Sequence, residues 1–420
     1  MRLRRSLTGA VACAAVAVGI TACGQNSPAS TTTPSSTTTS VLGSPAAATG
    51  SPVVFGAINL ETQQSANFPE VREAANAMVS YLNAYRGGLD GHPIKIDWCI
   101  TDGTPSVSSN CATQLIADHP VAILGAADLA GAAPLTLFAK AGLDVIGGIN
   151  FTPAENTAAN SLIFTDVASF SNVQDALWAA SQSGGKGKKV AVIAEGDTQG
   201  EFQANATWVP AIKSASDQVK VFPAPPTQAD LTSVVESAIS WGADSIGLES
   251  PGQCVALLSG LKGAGWTGPV TSIDPCSAPP VIKASAGAAN GLYFMGSLQL
   301  LSSGTADANL ATAILQKYAP ANIAVDSPAE EELSTVMNIW TAFHSTPVTE
   351  LTSSYMLQTL KSGSSHPDFL SQPYTCDGSA IPAYPDVCDS AYYLYQVQNG
   401  TRARIGTKVY DDGTNLITAS

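Results

Sequence analysis

From Val53 onward the chain alternates short apolar runs with longer amphipathic stretches. The apolar runs are Val53–Asn59, Ile94–Ile100, Val121–Gly125, Asp144–Ile149, Leu162–Phe164, Lys189–Ala194, Gln218–Phe222, Asp244–Leu248, Pro269–Ile273 and Gly291–Met295. Short, bounded runs rich in Val and Ile predict buried parallel strands. Helices fill the gaps, over Glu70–Arg86, Pro105–Asp118, Ala132–Ala141, Asn172–Ser183, Gly200–Ser214, Gln228–Trp241, Gln253–Gly263, Ala306–Tyr318, Ala329–Phe343 and Ser353–Lys361. In the first of these, Val71, Ala74, Ala75, Met78, Val79 and Leu82 recur at three and four, which lays one apolar stripe against a sheet. The βα succession stops near Phe164 and restarts at Lys189, so the pattern predicts an α/β protein with two doubly wound lobes. A (βα)8 barrel is the rival, and the stretches Thr346–Ala391 and Ala391–Tyr410 do not continue its rhythm.

The chain before Val53 has a different character. Arg2, Arg4 and Arg5 precede an apolar run, Ala10–Ile20, too short to cross a bilayer permanently, which predicts a signal peptide over residues 1–22. The ending Ile20-Thr21-Ala22-Cys23 resembles the lipobox of bacterial lipoproteins, which implies that Cys23 is acylated. Ordinary cleavage nearby, with Cys23 a spare thiol, is the alternative. Gly24–Pro52 has no charged or aromatic residue and is rich in Ser, Thr, Pro and Ala, so residues 23–52 are expected to form a flexible tether reaching about 30 Å.

Composition narrows the function. The 420 residues are 45% apolar and 12% charged with a net charge of −14, and three of the few basic residues lie in the leader. Such acidity excludes nucleic-acid binding and adhesion to anionic lipid, leaving the lipid anchor as the membrane contact. Of eight cysteines, Cys13 leaves with the signal and Cys23 goes to lipid. The remaining six allow fifteen pairings, of which Cys99–Cys111, Cys254–Cys276 and Cys376–Cys388 close the shortest loops. There is no Cys-x-x-Cys, and His92, His119, His344 and His366 are scattered without ligand spacing, so no metal or other cofactor is expected.

The catalytic motifs fail on context. Gly263-Ala-Gly265-Trp-Thr-Gly268 spells a dinucleotide fingerprint but follows a helix and precedes a strand, the reverse of what a pyrophosphate site requires. Gly184–Lys189 likewise precedes its strand, and no G-x-S-x-G elbow occurs, so no enzyme is expected. Polar residues at strand carboxyl ends remain, where open α/β sheets bind ligands. They are Asn59, Glu61, Thr62, Asp102, Asp128, Asn150 and Thr152 in the first half, and Glu195, Asp197, Gln199, Glu249, Ser250 and Asp274 in the second. For most of them the competing role is a helix N-cap or a loop contact.

The order of features resembles the leucine/isoleucine/valine-binding, branched-chain-amino-acid family of type I periplasmic binding proteins. The likeness is carried by Val53-Val-Phe-Gly-Ala-Ile-Asn59, by the helix ending Leu82-Asn-Ala-Tyr-Arg-Gly-Gly-Leu-Asp-Gly-His-Pro93 and by Ile94-Lys-Ile-Asp-Trp-Cys99. Val121-Ala-Ile-Leu-Gly125, Ala141-Gly-Leu-Asp-Val-Ile146, Lys188-Lys-Val-Ala-Val-Ile193 and Gly242-Ala-Asp-Ser-Ile246 add to it. It implies two Rossmann-like lobes with hinge crossovers, lobe 1 over 53–165 plus about 296–370 and lobe 2 over 166–295 plus about 371–420. It also implies a small-molecule ligand held between them, delivery to an ABC permease, and a monomer on the outer face of the cytoplasmic membrane. A ligand-sensing envelope lipoprotein that signals to a membrane partner is the alternative. In the family an acid after a second-lobe strand meets the ligand ammonium, and Asp274 occupies that place. Two departures stand out: Gly125-Ala-Ala-Asp-Leu-Ala-Gly131 lacks the usual hydroxyl and adds Asp128, and Gln199 replaces a stacking aromatic. The expected ligand contacts are therefore Asn59, Glu61, Thr62, Asp128 and Asn150 on one side and Gln199, Glu249 and Asp274 on the other. These loops hold several carboxylates and no Lys or Arg, which favours a neutral polar or cationic solute.

Overall fold

The structure is a computed structural model that describes residues 41–63, 67–165, 168–225, 230–325 and 327–416. Cys23, the leader and most of the tether lie outside these residues, as do the side chains of Thr198, Gln199 and Ser327. The first sheet contains β1 (Val53–Leu60), β2 (Ile94–Thr101), β3 (Ile123–Leu124), β4 (Val145–Ile146) and β5 (Ser161–Leu162), all parallel, in the order β2-β1-β3-β4-β5. The second contains β6 (Lys189–Glu195), β7 (Gln218–Ala224), β8 (Ser245–Glu249), β9 (Val270–Ser272) and β10 (Tyr293–Gly296). A two-stranded ribbon, β11 (Ser365–His366) with β12 (Tyr374–Thr375), lies apart from both sheets. All ten expected strands are present. These are the two lobes of a type I periplasmic binding fold, and the barrel is ruled out by two separate sheets.

The closing segment, which the βα rhythm leaves unassigned, is a hairpin of β13 (Tyr392–Gln398) and β14 (Thr401–Tyr410). It adds antiparallel to β10 and completes the order β14-β13-β10-β9-β8-β6-β7. Asn399 and Gly400 form its turn, both with positive φ (51° and 78°), the backbone that an Asn-Gly pair accepts at least cost. Tyr392, Tyr393, Leu394, Tyr395 and Val397 are all buried in the second core, so this strand is a central one.

Two cores lie against the sheets. Helix Pro69–Tyr85 buries Val71, Ala74, Ala75, Met78, Tyr81 and Leu82, and helix Ser327–Phe343 packs beside it. The second core centres on Val190–Ala194, Trp208, Ile246, Leu248 and the hairpin. Residues 41–52, which composition assigns to the tether, lie along the first lobe. Leu42 is buried, and the amides of Ala46 and Ala48 donate to the carbonyls of Ala84 and Asn83, capping a helix end. The three disulfides pair Cys99–Cys111, Cys254–Cys276 and Cys376–Cys388.

The G-x-G-x-x-G segment ends helix Cys254–Gly263 through Gly265 (φ +70°), with the Trp266 amide donating to the Leu261 carbonyl. The helical stretch from Thr198 to Ser214 contains a π turn, Ala204–Trp208, just before Pro210, which has no amide hydrogen to donate. Among the described residues no helix is long and apolar enough to cross a membrane.

Candidate functional site

A cavity of about 210 Å³ opens at the carboxyl ends of the strands, with walls from both lobes. The first lobe contributes an apolar wall of Phe68, Leu129, Ile149 and Phe151, with Gln63 at its edge. The Phe68 and Phe151 rings stack with centroids 6.3 Å apart. The second lobe contributes Asn172, Glu195, Asp197, Gln203, Glu249 and Asp274.

Glu249 ends β8 and is buried. Trp208 Nε1 donates to its Oε2 at 2.8 Å, and the indole reaches it only because residue 247 is glycine: a Cβ there would lie 2.3 Å from Trp208 Cζ3. Burial pushes the Glu249 carboxyl up to about 7; the indole and Asn172 oppose this, and the charge of Glu195 adds to it. Glu195 ends β6, and burial raises it too against a bond from the Gly252 amide (3.4 Å). Asp197 caps the next helix through the Gly200 amide at 2.8 Å. Asn172 Nδ2 donates to Gln203 Oε1 at 3.2 Å, fixing two amides on the same wall.

The structure brings Glu249 and Asp274 to this cavity and places five other expected contacts off it. Asn59 is fully buried, with Nδ2 on the Phe68 carbonyl (2.7 Å) and on Glu61 Oε1 (3.0 Å), so it positions the Phe68 loop. Glu61 forms a two-pronged pair with Arg72 (2.7 and 2.8 Å), and Thr62 Oγ1 donates to the Thr101 carbonyl. Asp128 and Asn150 line a separate cavity of about 40 Å³ inside the first lobe, together with Glu155 and Ser161. Gln199 opens the helix Thr198–Gln203, and its side chain lies outside the described residues.

The expectation of acids without a nearby cation is corrected at Asp274. Arg402, on β14, reaches Asp274 Oδ1 at 3.5 Å and Glu330 Oε1 at 3.0 Å, and Ser277 Oγ donates to the same Asp274 oxygen at 2.6 Å. Arg402 is remote in sequence and arrives through the unassigned hairpin. Phe68, Phe151, Asn172 and Gln203 escaped the sequence reading. Phe68 directly precedes a helix-opening Pro69, Phe151 follows the β4 loop, and Gln203 stands one helical turn after Gln199, so position could have nominated each.

The architecture is that of a two-lobed binding protein, and residues 53–402 match the model of the periplasmic binding protein family, to which the chain belongs. Its fold is similar to a fatty acid ABC transporter substrate-binding protein from Thermomonospora curvata, at 15% identity and a TM-score of 0.73, covering 88% of this chain and 95% of that one. It is also similar to an ABC transporter solute-binding protein from R. palustris in complex with 4-hydroxybenzoate (15% identity, TM-score 0.70, 86% and 97% covered). A leucine-binding protein from Thermotoga maritima is a third (14% identity, TM-score 0.68, 84% and 98% covered). No curated protein matches the chain.

Proposed function

We propose that this protein is a lipid-anchored extracytoplasmic solute-binding protein, which captures a small neutral or cationic polar solute between its lobes and hands it to an ABC importer. The observation that carries this is the cavity itself, walled by Phe68 and Phe151 from one sheet and by Glu195, Glu249 and Asp274 from the other. A ligand touching both walls draws the lobes together, which is how hinge-closing proteins report occupancy to a partner. The basic leader, the Ile20-Thr21-Ala22-Cys23 ending and three disulfides support an exported, anchored protein, and we take it to act as a monomer. Among the described residues no Lys, Arg or His lines the cavity, which supports exclusion of anions.

Native mass spectrometry of protein purified without denaturation tests this reading. A single bound small molecule, neutral or cationic in solution, is the expected result, and a bound dicarboxylate or phosphate ester would refute it. Cys23→Ala should shift the protein from the membrane fraction to the medium, since two acyl chains supply the anchoring. Unchanged partitioning would remove the anchor from the proposal.

A further inference from the structure

Building on that reading, we infer that the solute is an amine with an aromatic or branched apolar body and no carboxylate, and that Glu249, held in place by Trp208, selects it. The two walls divide the work. Phe68, Leu129, Ile149 and Phe151 offer only carbon, with the two rings stacked so that a flat or branched body lies against them. Across from them stand Glu195, Asp197 and Glu249, while Asp274 is taken up by Arg402 and Ser277. An anion placed here would face three carboxylates. An ammonium would make charge-assisted hydrogen bonds with them.

Glu249 is the discriminating group because its surroundings are fixed. It faces Trp208 and Gln203 from the π-turn helix, Asn172 from helix Ala168–Gln182, Glu195 and Asp197 from the end of β6, and the paired Asp274 from the turn after β9. Among the described residues the cation in this group is Arg402, which is paired with Asp274 and Glu330. A buried carboxylate without a counter-charge takes up a proton, so an entering ammonium displaces that proton and supplies the missing charge. The cavity of about 210 Å³ has room for one small organic molecule.

Calorimetric titration with three probes of equal shape decides the matter: 2-phenylethylamine, 2-phenylethanol and phenylacetate. At about pH 8 the amine should bind about tenfold or more tighter than the alcohol, from the strength of a hydrogen bond to a charged group, and phenylacetate weakest. At about pH 5.5 the amine should lose most of that advantage, because the proton on Glu249 competes with it while the amine itself, like a lysine, stays charged throughout. Glu249→Gln should bring the amine-to-alcohol ratio to within about twofold of one and flatten its pH profile, with thermal unfolding confirming the fold. Should that variant fail to fold, Glu195→Gln carries the same comparison from the same wall, with a reduced ratio expected. Equal binding of amine and alcohol, a flat profile in the parent, or phenylacetate as the tightest probe overturns the amine class and leaves solute capture standing. Absence of binding by all three at millimolar concentration overturns the aromatic-amine class as well. Capture itself is judged separately by the co-purified molecule.

Discussion

The two lobes are built from the same strand-helix-strand units, and the carboxylates along the cavity between them, Glu195, Asp197, Glu249 and Asp274, all come from the second. In the first lobe β3, β4 and β5 are two residues long, and several polar groups that follow the strands have local partners: Asn59 on the Phe68 carbonyl, Glu61 on Arg72, and Asp128 Oδ1 on the Ala130 amide, while Asp128 Oδ2 and Asn150 Nδ2 have none. Facing the other lobe are Phe68, Leu129, Ile149 and Phe151, with Gln63 at their edge. In the second lobe β6 and β8 run to Glu195 and Glu249, whose carboxylates stay at the wall.

How closely the chain packs at single glycines yields the largest expected effect. A Cβ at Gly125, after β3, would lie 1.9 Å from the Gly147 carbonyl oxygen, whereas one at Gly247 in β8 would meet only the Trp208 ring, at 2.3 Å. Backbone cannot swing aside as a side chain can. Gly125→Ala should therefore cost about 3 kcal/mol or more, and Gly247→Ala about 1 to 3 kcal/mol, in denaturant unfolding. The reverse order would show that the first lobe yields at β3.

Arg402 ties the second-lobe hairpin to Glu330 in helix Ser327–Phe343, which packs with the first-lobe core. Arg402→Met should destabilise by about 3 kcal/mol at pH 8, since two buried acids lose their cation. Burial already holds Glu330 at about 7 with Arg402 opposing it, so the variant's loss should shrink towards pH 5, where the carboxyl takes up a proton. A loss independent of pH would place the role of Arg402 in packing alone.

Most of this frame was legible in the sequence. Ten strands with their helices follow from apolar periodicity, and the disulfides follow from loop length, because both are local signals. Of the expected ligand contacts, two line the cavity. Glu249 and Asp274 could be named because a parallel strand's carboxyl end is a fixed place in the fold. Whether the side chain there is engaged depends on residues far away in sequence: Arg402 lies 128 positions from Asp274, and Trp208 lies 41 from Glu249. The hairpin that brings Arg402 carried a local signal, Asn399-Gly400 between tyrosine-rich and alternating residues, which the search for βα units passed over.

Buried acids without cations give a pH prediction for the whole chain. Burial raises Glu70, Glu155, Glu249 and Asp368 to about 7 and Asp389 to about 6, and it raises Glu332 well above the ordinary range. A carboxyl whose pKa is higher folded than unfolded binds more protons in the native state, so stability falls as pH rises from about 4.3 towards 7. Melting temperature should be higher by about 4 °C or more at pH 5.5 than at pH 8. Glu332, whose two oxygens have no hydrogen-bond partner, is the group to remove. Glu332→Gln should raise stability by about 1 kcal/mol at pH 8 and change little at pH 5.5, and equal effects at both would show that the Glu332 carboxyl is no harder to ionise in the folded chain than in the unfolded one.

The smallest effect separates the two acids that sequence position ranks alike. Asp274 and Glu249 both stand at second-lobe strand ends and both line the cavity, but Oδ1 of Asp274 already accepts from Ser277 and faces Arg402, while Glu249 has only neutral donors. An ammonium beside Asp274 would compete with a guanidinium for one carboxylate and gain little from it. Asp274→Asn should then weaken 2-phenylethylamine binding by about threefold at most, against about tenfold for Glu249→Gln, corresponding to roughly 0.6 and 1.4 kcal/mol. Calorimetry at pH 8 on both variants and the parent reads the ratio directly. If Asp274→Asn costs as much as Glu249→Gln, the Arg402 pair opens when ligand enters, and the charge at the wall belongs to Asp274 as well.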